Sequence, residues 1–154
     1  MKKLAAPLKK GTPTVVAVSR HPLHPMLVTF PIALLVCAPA SDLAFLLFDD
    51  PFWARMSLWL LGVGTLMGTL AGTTGAIELL AVGGIRRRAA AWNHFVMGTM
   101  LLAVGFTNWS WRVSDPVGGI VPLGIYLSLL GIVLVGFTGW MGGKLVFEDE
   151  VGIK

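Results

Sequence analysis

The chain reads as four long apolar runs separated by short polar or glycine-containing breaks. The runs cover about residues 25–48, 52–82, 89–111 and 118–141. Each contains at least about 20 residues, which as a helix rising 1.5 Å per residue spans a hydrocarbon core of about 30 Å. Short connections place consecutive helices antiparallel. The pattern therefore predicts an all-α polytopic membrane protein, a four-helix transmembrane bundle in up-down-up-down order.

Composition excludes a water-soluble globule. The chain is 55% hydrophobic and 13% charged, with a mean hydropathy of +0.78, whereas soluble domains carry about 25% charged residues. A net charge of +4 could indicate nucleic-acid binding, but the bases flank the apolar runs and do not follow one polar face. The partner that composition predicts is the lipid bilayer, with no nucleic acid.

Basic residues predict the orientation of the bundle. Ten of the twelve lie before the first run, in the second loop or after the fourth run, and only Arg55 and Arg112 lie in the other two loops. Cytoplasmic segments carry the excess of Lys and Arg. We therefore expect both termini in the cytoplasm, as tails of residues 1–20 and 144–154 around a transmembrane domain of residues 21–143.

Small residues recur on one side of the second run. Gly64, Gly68 and Gly72 are spaced four residues apart, so they share a helix face. Glycines on such a face let another helix backbone approach closely. The stripe predicts ordinary helix packing.

Few ionisable residues lie within the apolar runs, where the cost of desolvation makes each one a functional candidate. Glu78 and His94 lie eight residues on either side of Arg86, in the second loop, so an antiparallel hairpin brings them to about the same depth. A carboxylate there can orient the imidazole while its other nitrogen binds a metal. The spacing predicts a Glu78–His94 pair.

The segment HPLHP places two more imidazoles at the start of the first run. A residue that precedes proline disfavours the helical region, so His21 and His24 are expected in extended backbone, with His24 as N-cap of a helix starting at Pro25. The third helix starts on the same side of the membrane. We therefore expect His24 to face His94, with His21 and Glu78 close by.

Three interpretations of this histidine layer remain open. Facing His24 and His94 would suit a low-spin b-type haem in a four-helix bundle, with the arginines of the second loop placed to meet its propionates. His24, His94 and Glu78 would also suit a divalent metal such as zinc or copper, or the layer could line a quinone pocket. Alternatively, the layer is structural. The arginines of the second loop that would meet the haem propionates are Arg86, Arg87 and Arg88.

Asp42 is expected to lie apart from these residues. It follows His24 by 18 positions, which is about 27 Å along a helix. We interpret it as an interfacial residue that reaches the outer headgroups or caps the helix with Ser41.

Four segments of the chain resemble a bacterial family of four-helix predicted membrane proteins that is described only as a domain of unknown function. The segments are HPLHPMLVTFPIALL, GAIELL, the histidine in AAAWNHFVMG, and GWMGGKLVFEDEVGI, and the resemblance spans about residues 20–153. The double His-Pro motif followed by FPIALL is its most specific part. The resemblance implies an acidic residue at Glu78 and a histidine at His94.

This sequence departs from the family's pattern in the closing segment. The resemblance implies a closing run of the form Gly-Gly-acid-Leu-Val-aromatic-Arg-His-Gly-Val-Gly-Val. Here Lys144 replaces the acid, Asp149 the histidine and Glu150 the first glycine after it. If the closing histidine is a ligand in the family, this member lacks it.

Proteins of this resemblance occur beside or fused to c-type cytochromes and quinoprotein sugar dehydrogenases, which implies electron transfer in the bacterial cytoplasmic membrane. The leading hypothesis is therefore a membrane electron-transfer subunit that holds a b-type haem or a quinone, and at most a redox subunit rather than a stand-alone catalyst. The alternative is a non-catalytic accessory subunit of a larger respiratory or photosynthetic membrane complex, in which the histidines are structural or bind a divalent metal.

Overall fold

The computed structural model describes residues 11–152 of the chain. Within them lie one short β-hairpin, six α-helices and one π-helical turn that leads into the last helix. Their bounds are β1 Ala17–Val18, β2 His21–Pro22, α1 Leu23–Leu27, α2 Thr29–Phe48, α3 Pro51–Ala81, α4 Gly83–Arg86, α5 Ala89–Arg112, the π-helical turn Ile120–Gly124 and α6 Ile125–Phe147.

Four helical segments are long and apolar enough to cross a membrane. They are Leu23–Phe48, Pro51–Ala81, Ala89–Arg112 and Ile120–Phe147. The predicted all-α polytopic class is thereby confirmed. The fourth span continues through the expected stop at residues 142–144, since the glycines there remain helical while α6 packs along α5.

The spans form a closed ring in which consecutive spans run in opposite directions. α3 packs against α2 and α5, and α6 also packs against α2 and α5. Along α2 and α3, Leu35 meets Gly64 and Ser41 meets Trp53, so residue numbers rise on one helix as they fall on the other. The first span and α5 therefore occupy opposite corners of the ring, with α3 and α6 between them.

The glycine stripe of α3 touches both of its neighbours. A Cβ on Gly64 would lie 3.0 Å from Leu35 of α2, and one on Gly68 would lie 2.6 Å from Leu102 of α5. At Gly72 the corresponding distance to Leu102 is 3.5 Å. A larger residue at the first two positions would displace these leucine side chains.

The first span begins differently from the sequence expectation. Pro22 is the N-cap and α1 starts at Leu23, so His24 lies within the first helical turn and is not an N-cap in extended backbone. Pro25 is tolerated there because the N–H groups of a first turn have no helical acceptor, so the missing donor costs no hydrogen bond. Only His21 is extended, in β2.

The two terminal segments meet over one end of the bundle. Thr12 pairs with Val151 as parallel strands do, and the N–H of Gly152 donates to the carbonyl oxygen of Thr12 at 2.8 Å. We call residues 12–16 together with residues 148–152 the terminal cap. The cap closes the end at which the first span begins and α6 ends.

Candidate functional site

A cavity of about 510 Å³ lies between the four spans, beneath the terminal cap. α1, α2, α3, α5 and α6 all contribute to its wall, which is mostly apolar. Within residues 11–152, the titratable side chains that line it are His24, His94 and Glu78, and no Lys or Arg lines it. This volume and character are those of a pocket for a small organic ligand.

The structure brings His24 and His94 together in this cavity. Their ring centroids are 5.9 Å apart, and the ring planes cross at 82°. Nδ1 of His24 lies 2.8 Å from the carbonyl oxygen of Ala71, and Nδ1 of His94 lies 3.0 Å from that of Thr138. A carbonyl oxygen only accepts, so both Nδ1 atoms carry the proton. In each neutral ring Nε2 then keeps the lone pair that binds a metal.

Glycines on the two flanking helices make room for these rings. A Cβ on Gly75 of α3 would lie 2.8 Å from Nδ1 of His24, and one on Gly142 of α6 would lie 3.0 Å from Cε1 of His94. Neither position accepts a side chain without displacing the imidazole. The sequence thus fixes the rings through the helices beside them as well as through their own.

Glu78 does not form the expected pair with His94. Its carboxylate accepts hydrogen bonds from the Thr14 hydroxyl, from the Val15 N–H at 2.9 Å and from the Val16 N–H at 2.7 Å. In the described part of the chain no hydrogen bond joins Glu78 to His94. The N-terminal segment bends at Val15 and Val16. It presents consecutive donors that satisfy the carboxylate more fully than one imidazole N–H would. Glu78 therefore binds the cap and not the histidine.

His21 also lies outside the cavity. Its side chain is exposed, and its Nδ1 is 2.9 Å from the carbonyl oxygen of Ser19, across the turn of the hairpin. The hairpin turns His21 outward because successive residues of a strand face opposite sides. The expected convergence of three histidines is therefore reduced to two.

The arginines of the second loop likewise do not line the cavity. Arg86 donates to the carbonyl oxygen of Leu80 at 3.1 Å, and Arg88, which is 6% exposed, forms an ion pair with Asp149 at 2.5 Å. Arg87 is exposed. Local main-chain acceptors and the terminal cap thus engage Arg86 and Arg88, so the propionate contacts expected of Arg86, Arg87 and Arg88 have no geometrical basis here.

The expected metal set also fails to assemble. In residues 11–152 no group of three or more His, Cys, Asp or Glu side chains is arranged to hold a metal ion. His24 and His94 meet, but Glu78 is held by the cap. A metal bound here would have two protein ligands from this set.

Residues 20–154 match the family model of the predicted membrane proteins called DUF2231. The chain belongs to the DUF2231 family. No curated protein and no solved structure matches it. In this DUF2231 protein the matched region contains both cavity histidines and Glu78, whereas the residues that bind the Glu78 carboxylate precede it.

A second buried cluster of the DUF2231 protein lies away from the cavity, and sequence reasoning missed it. Arg112 and Asp42 form a bidentate ion pair with distances of 2.5 and 2.9 Å, and the residues are 0% and 2% exposed. Asp42 is therefore neither an interfacial residue nor a cap. Arg112, expected in a loop, ends α5 inside the bundle.

Every polar hydrogen of the Arg112 guanidinium has an acceptor. Nε donates to Asn108 at 2.8 Å, while Nη1 and Nη2 add bonds to Ser57 at 2.9 Å and to Ser128 at 3.0 Å beyond those to Asp42. The cluster therefore joins all four spans of the DUF2231 protein. Asn108 and Arg112 share a helix face four residues apart, which is the signal in the sequence that could have revealed it.

Proposed function

We propose that this protein is an electron-transfer subunit of the bacterial cytoplasmic membrane that holds a b-type haem between His24 and His94. The observation that carries the proposal is the pair of imidazoles, each fixed through Nδ1 to a main-chain carbonyl oxygen, inside an apolar cavity. A histidine ligand characteristically donates its second ring N–H to such an acceptor, which sets the tautomer and the ring orientation.

The spacing of the rings supports this ligand pair. An iron bound at about 2 Å by the Nε2 atoms of two opposed imidazoles holds the ring centroids about 6 Å apart. The centroids of His24 and His94 are separated by 5.9 Å. The two side chains come from opposite corners of the ring of helices, so they can approach a cofactor from its two faces.

The walls beside the histidines leave room for a flat macrocycle. α3 and α6 separate the two histidine-bearing spans, and the faces that line the cavity are rich in glycine. A residue without a side chain lets a ring system approach the helix backbone closely. Gly139 of α6 lines the cavity with no described atom within 4 Å of its Cβ position, and at Gly72 of α3 and Gly98 of α5 the nearest atoms lie at 3.5 and 3.8 Å.

His24 and His94 would keep the iron six-coordinate and low-spin, which suits electron transfer more than oxygen chemistry. A haem held by His24 and His94 would supply one-electron chemistry, between Fe(III) and Fe(II). By the family resemblance its partners would be a c-type cytochrome or a quinoprotein dehydrogenase. In such an electron-transfer complex, this protein would be a redox subunit and not a stand-alone catalyst.

A quinone is the second candidate, and the charge of the cavity wall favours it. No Lys or Arg within residues 11–152 lines the cavity to meet haem propionates, whereas a quinone is neutral. The imidazole nitrogens would then hydrogen-bond the carbonyl oxygens of the quinone. The accessory-subunit alternative needs no cofactor and makes the histidine pair structural.

Visible absorption of the detergent-purified protein tests the proposal. We expect a Soret band that shifts on reduction with dithionite and is lost in His24→Ala and His94→Ala. His21→Ala is the matched control, since this histidine lies outside the cavity, and it should retain the band. A folded, colourless protein from haem-replete cells would contradict the haem proposal. Quinone in its organic extract would then support the second candidate, and an extract without quinone the accessory subunit.

A further inference from the structure

We propose that Glu78 sets the reduction potential of the haem held by His24 and His94, through a negative charge that the terminal cap fixes at the cavity wall. This inference rests on the proposed function. It makes Glu78 a positioning residue that acts on the iron through space and not as a ligand.

Glu78 lies close to one of the two histidines. Gly75 lies against the ring of His24, since a Cβ on this glycine would be 2.8 Å from Nδ1 of the imidazole. Glu78 follows three residues later on the same face of α3, about 4.5 Å further along the helix axis. Both residues line the cavity. The backbone of Glu78 is therefore within one helical turn of the glycine that contacts the ring of His24.

The charge of this carboxylate is not neutralised by a cation in the described part of the chain. Its hydrogen bonds come from neutral donors, the Thr14 hydroxyl and the N–H groups of Val15 and Val16. Hydrogen bonds from neutral donors stabilise the negative charge without cancelling it. The residue is 9% exposed, so water screens its field poorly.

The effect on the iron follows from the sign of the charge. Oxidation of Fe(II) to Fe(III) adds one positive charge at the centre and releases one electron to the oxidant. A fixed negative charge nearby stabilises the oxidised form. Glu78 should therefore hold the reduction potential below the value that the two imidazoles and the apolar cavity alone would give.

A redox titration of the purified holoprotein, with dithionite as reductant and ferricyanide as oxidant, tests this inference. Glu78→Gln removes the charge and keeps an oxygen acceptor, so the midpoint potential should rise. Thr14→Val removes one donor and leaves the charge less dispersed, so the midpoint should fall by a smaller amount. Asp49→Asn is the control, because that exposed carboxylate follows the end of α2 that is remote from the cap, and it should leave the midpoint unchanged.

Shifts of the midpoint potential in opposite directions in Glu78→Gln and Thr14→Val distinguish an electrostatic role of Glu78 from a structural one. If Glu78 only holds the cap closed, both substitutions loosen the cap, admit water and move the midpoint in the same direction, which would overturn the inference. An unchanged midpoint in Glu78→Gln would do so as well. If Glu78→Gln does not fold, the direction of the Thr14→Val shift decides alone.

Amide hydrogen exchange gives a readout that does not depend on haem. In cofactor-free protein, Val15 and Val16 should exchange slowly in the wild type and at a similar rate in Glu78→Gln, whose oxygen still accepts from them. Fast exchange in Glu78→Gln would show that the cap opens. A shift of the midpoint potential in this variant would then result from water entering the cavity and not from the lost charge, which would overturn the inference. A wild-type protein that binds no haem refutes the proposed function, and this inference with it, while leaving the contact between Glu78 and the cap intact.

Discussion

Arg112 and Asp42 face each other across the interior of the bundle as a bidentate ion pair, with Nη1–Oδ1 and Nη2–Oδ2 distances of 2.5 and 2.9 Å. Ser128 also donates to Oδ2 of Asp42, at 2.6 Å. Both charges are desolvated, and the surrounding side chains satisfy their remaining hydrogen-bonding groups. Breaking such a pair from one side leaves a buried charge without its counterion.

Loss of one partner of this pair should be strongly destabilising. Asp42→Asn should lower the free energy of unfolding by about 3–5 kcal/mol, whereas the double change Asp42→Leu with Arg112→Met should recover most of that loss. Thermal or denaturant unfolding in detergent measures the difference. Arg55→Ala, at an exposed position, is the control and should change stability by less than about 0.5 kcal/mol. Equal stability of Asp42→Asn and wild type would show that the pair contributes nothing.

Gly124 should be intolerant of even a methyl group. Its Cβ would lie 2.8 Å from both Nε and Nη2 of Arg112 and would overlap the carbonyl oxygen of Gly119. We expect Gly124→Ala to lower the free energy of unfolding by about 1–3 kcal/mol, as overpacking does. Gly131→Ala is the matched control on α6, where no described atom lies within 4 Å of the added carbon. If both variants unfold at the same temperature, the enclosure of Arg112 is looser than the structure indicates.

Gly75 should control cofactor binding through His24. An alanine there would displace the imidazole and break the hydrogen bond from Nδ1 to Ala71. Loss of such an orienting contact typically costs 10- to 100-fold in metal affinity, and we expect at least about tenfold weaker haem binding in Gly75→Ala. Haem titration of cofactor-free protein measures this. Gly136→Ala, with no described atom within 4 Å, should bind as the wild type does, and wild-type affinity in Gly75→Ala would contradict the role of Gly75.

Replacing Glu150 with glycine should stabilise the protein. Its φ is +54°, in the left-handed region that disfavours residues with a Cβ, and the family resemblance implies a glycine at this position. Glu150→Gly should raise the free energy of unfolding by up to about 1 kcal/mol, after the entropy of the unfolded glycine is subtracted. Glu148→Gly, at a φ of −94°, should lower it slightly. A lower melting temperature in Glu150→Gly would refute the expected strain.

The hydropathy pattern was sufficient to predict four spans, because each run is long, nearly free of charge and ended by polar or glycine residues. It mislocated the end of the fourth span, since Gly142 and Gly143 signal a stop locally while packing of α6 along α5 keeps them helical. It also mislocated the start of the first, because Pro25 is tolerated in the first turn. The membrane side of each terminus remains a prediction from the basic residues.

The candidate site was predictable where two spans begin on the same side of the membrane, and not where a terminal segment folds back over the bundle. The expectation that the first and third spans begin on the same side of the membrane brought His24 and His94 to one layer, as the structure shows. The capture of Glu78 by Val15 and Val16 depends on how the N-terminal segment folds back, which no periodic pattern encodes. Arg112 was misread because a base at the end of a span resembles a topology signal when its partner, Asp42, is 70 residues away.

The most direct test of the central claim is the electron paramagnetic resonance spectrum of the oxidised protein. If His24 and His94 ligate a haem with their ring planes crossed at 82° as seen here, the oxidised protein should give a low-spin ferric signal of strong anisotropy. His24→Ala and His94→Ala should each convert or abolish it. A high-spin signal in the wild type, or a low-spin signal that persists in both single variants, would contradict haem ligation by this pair.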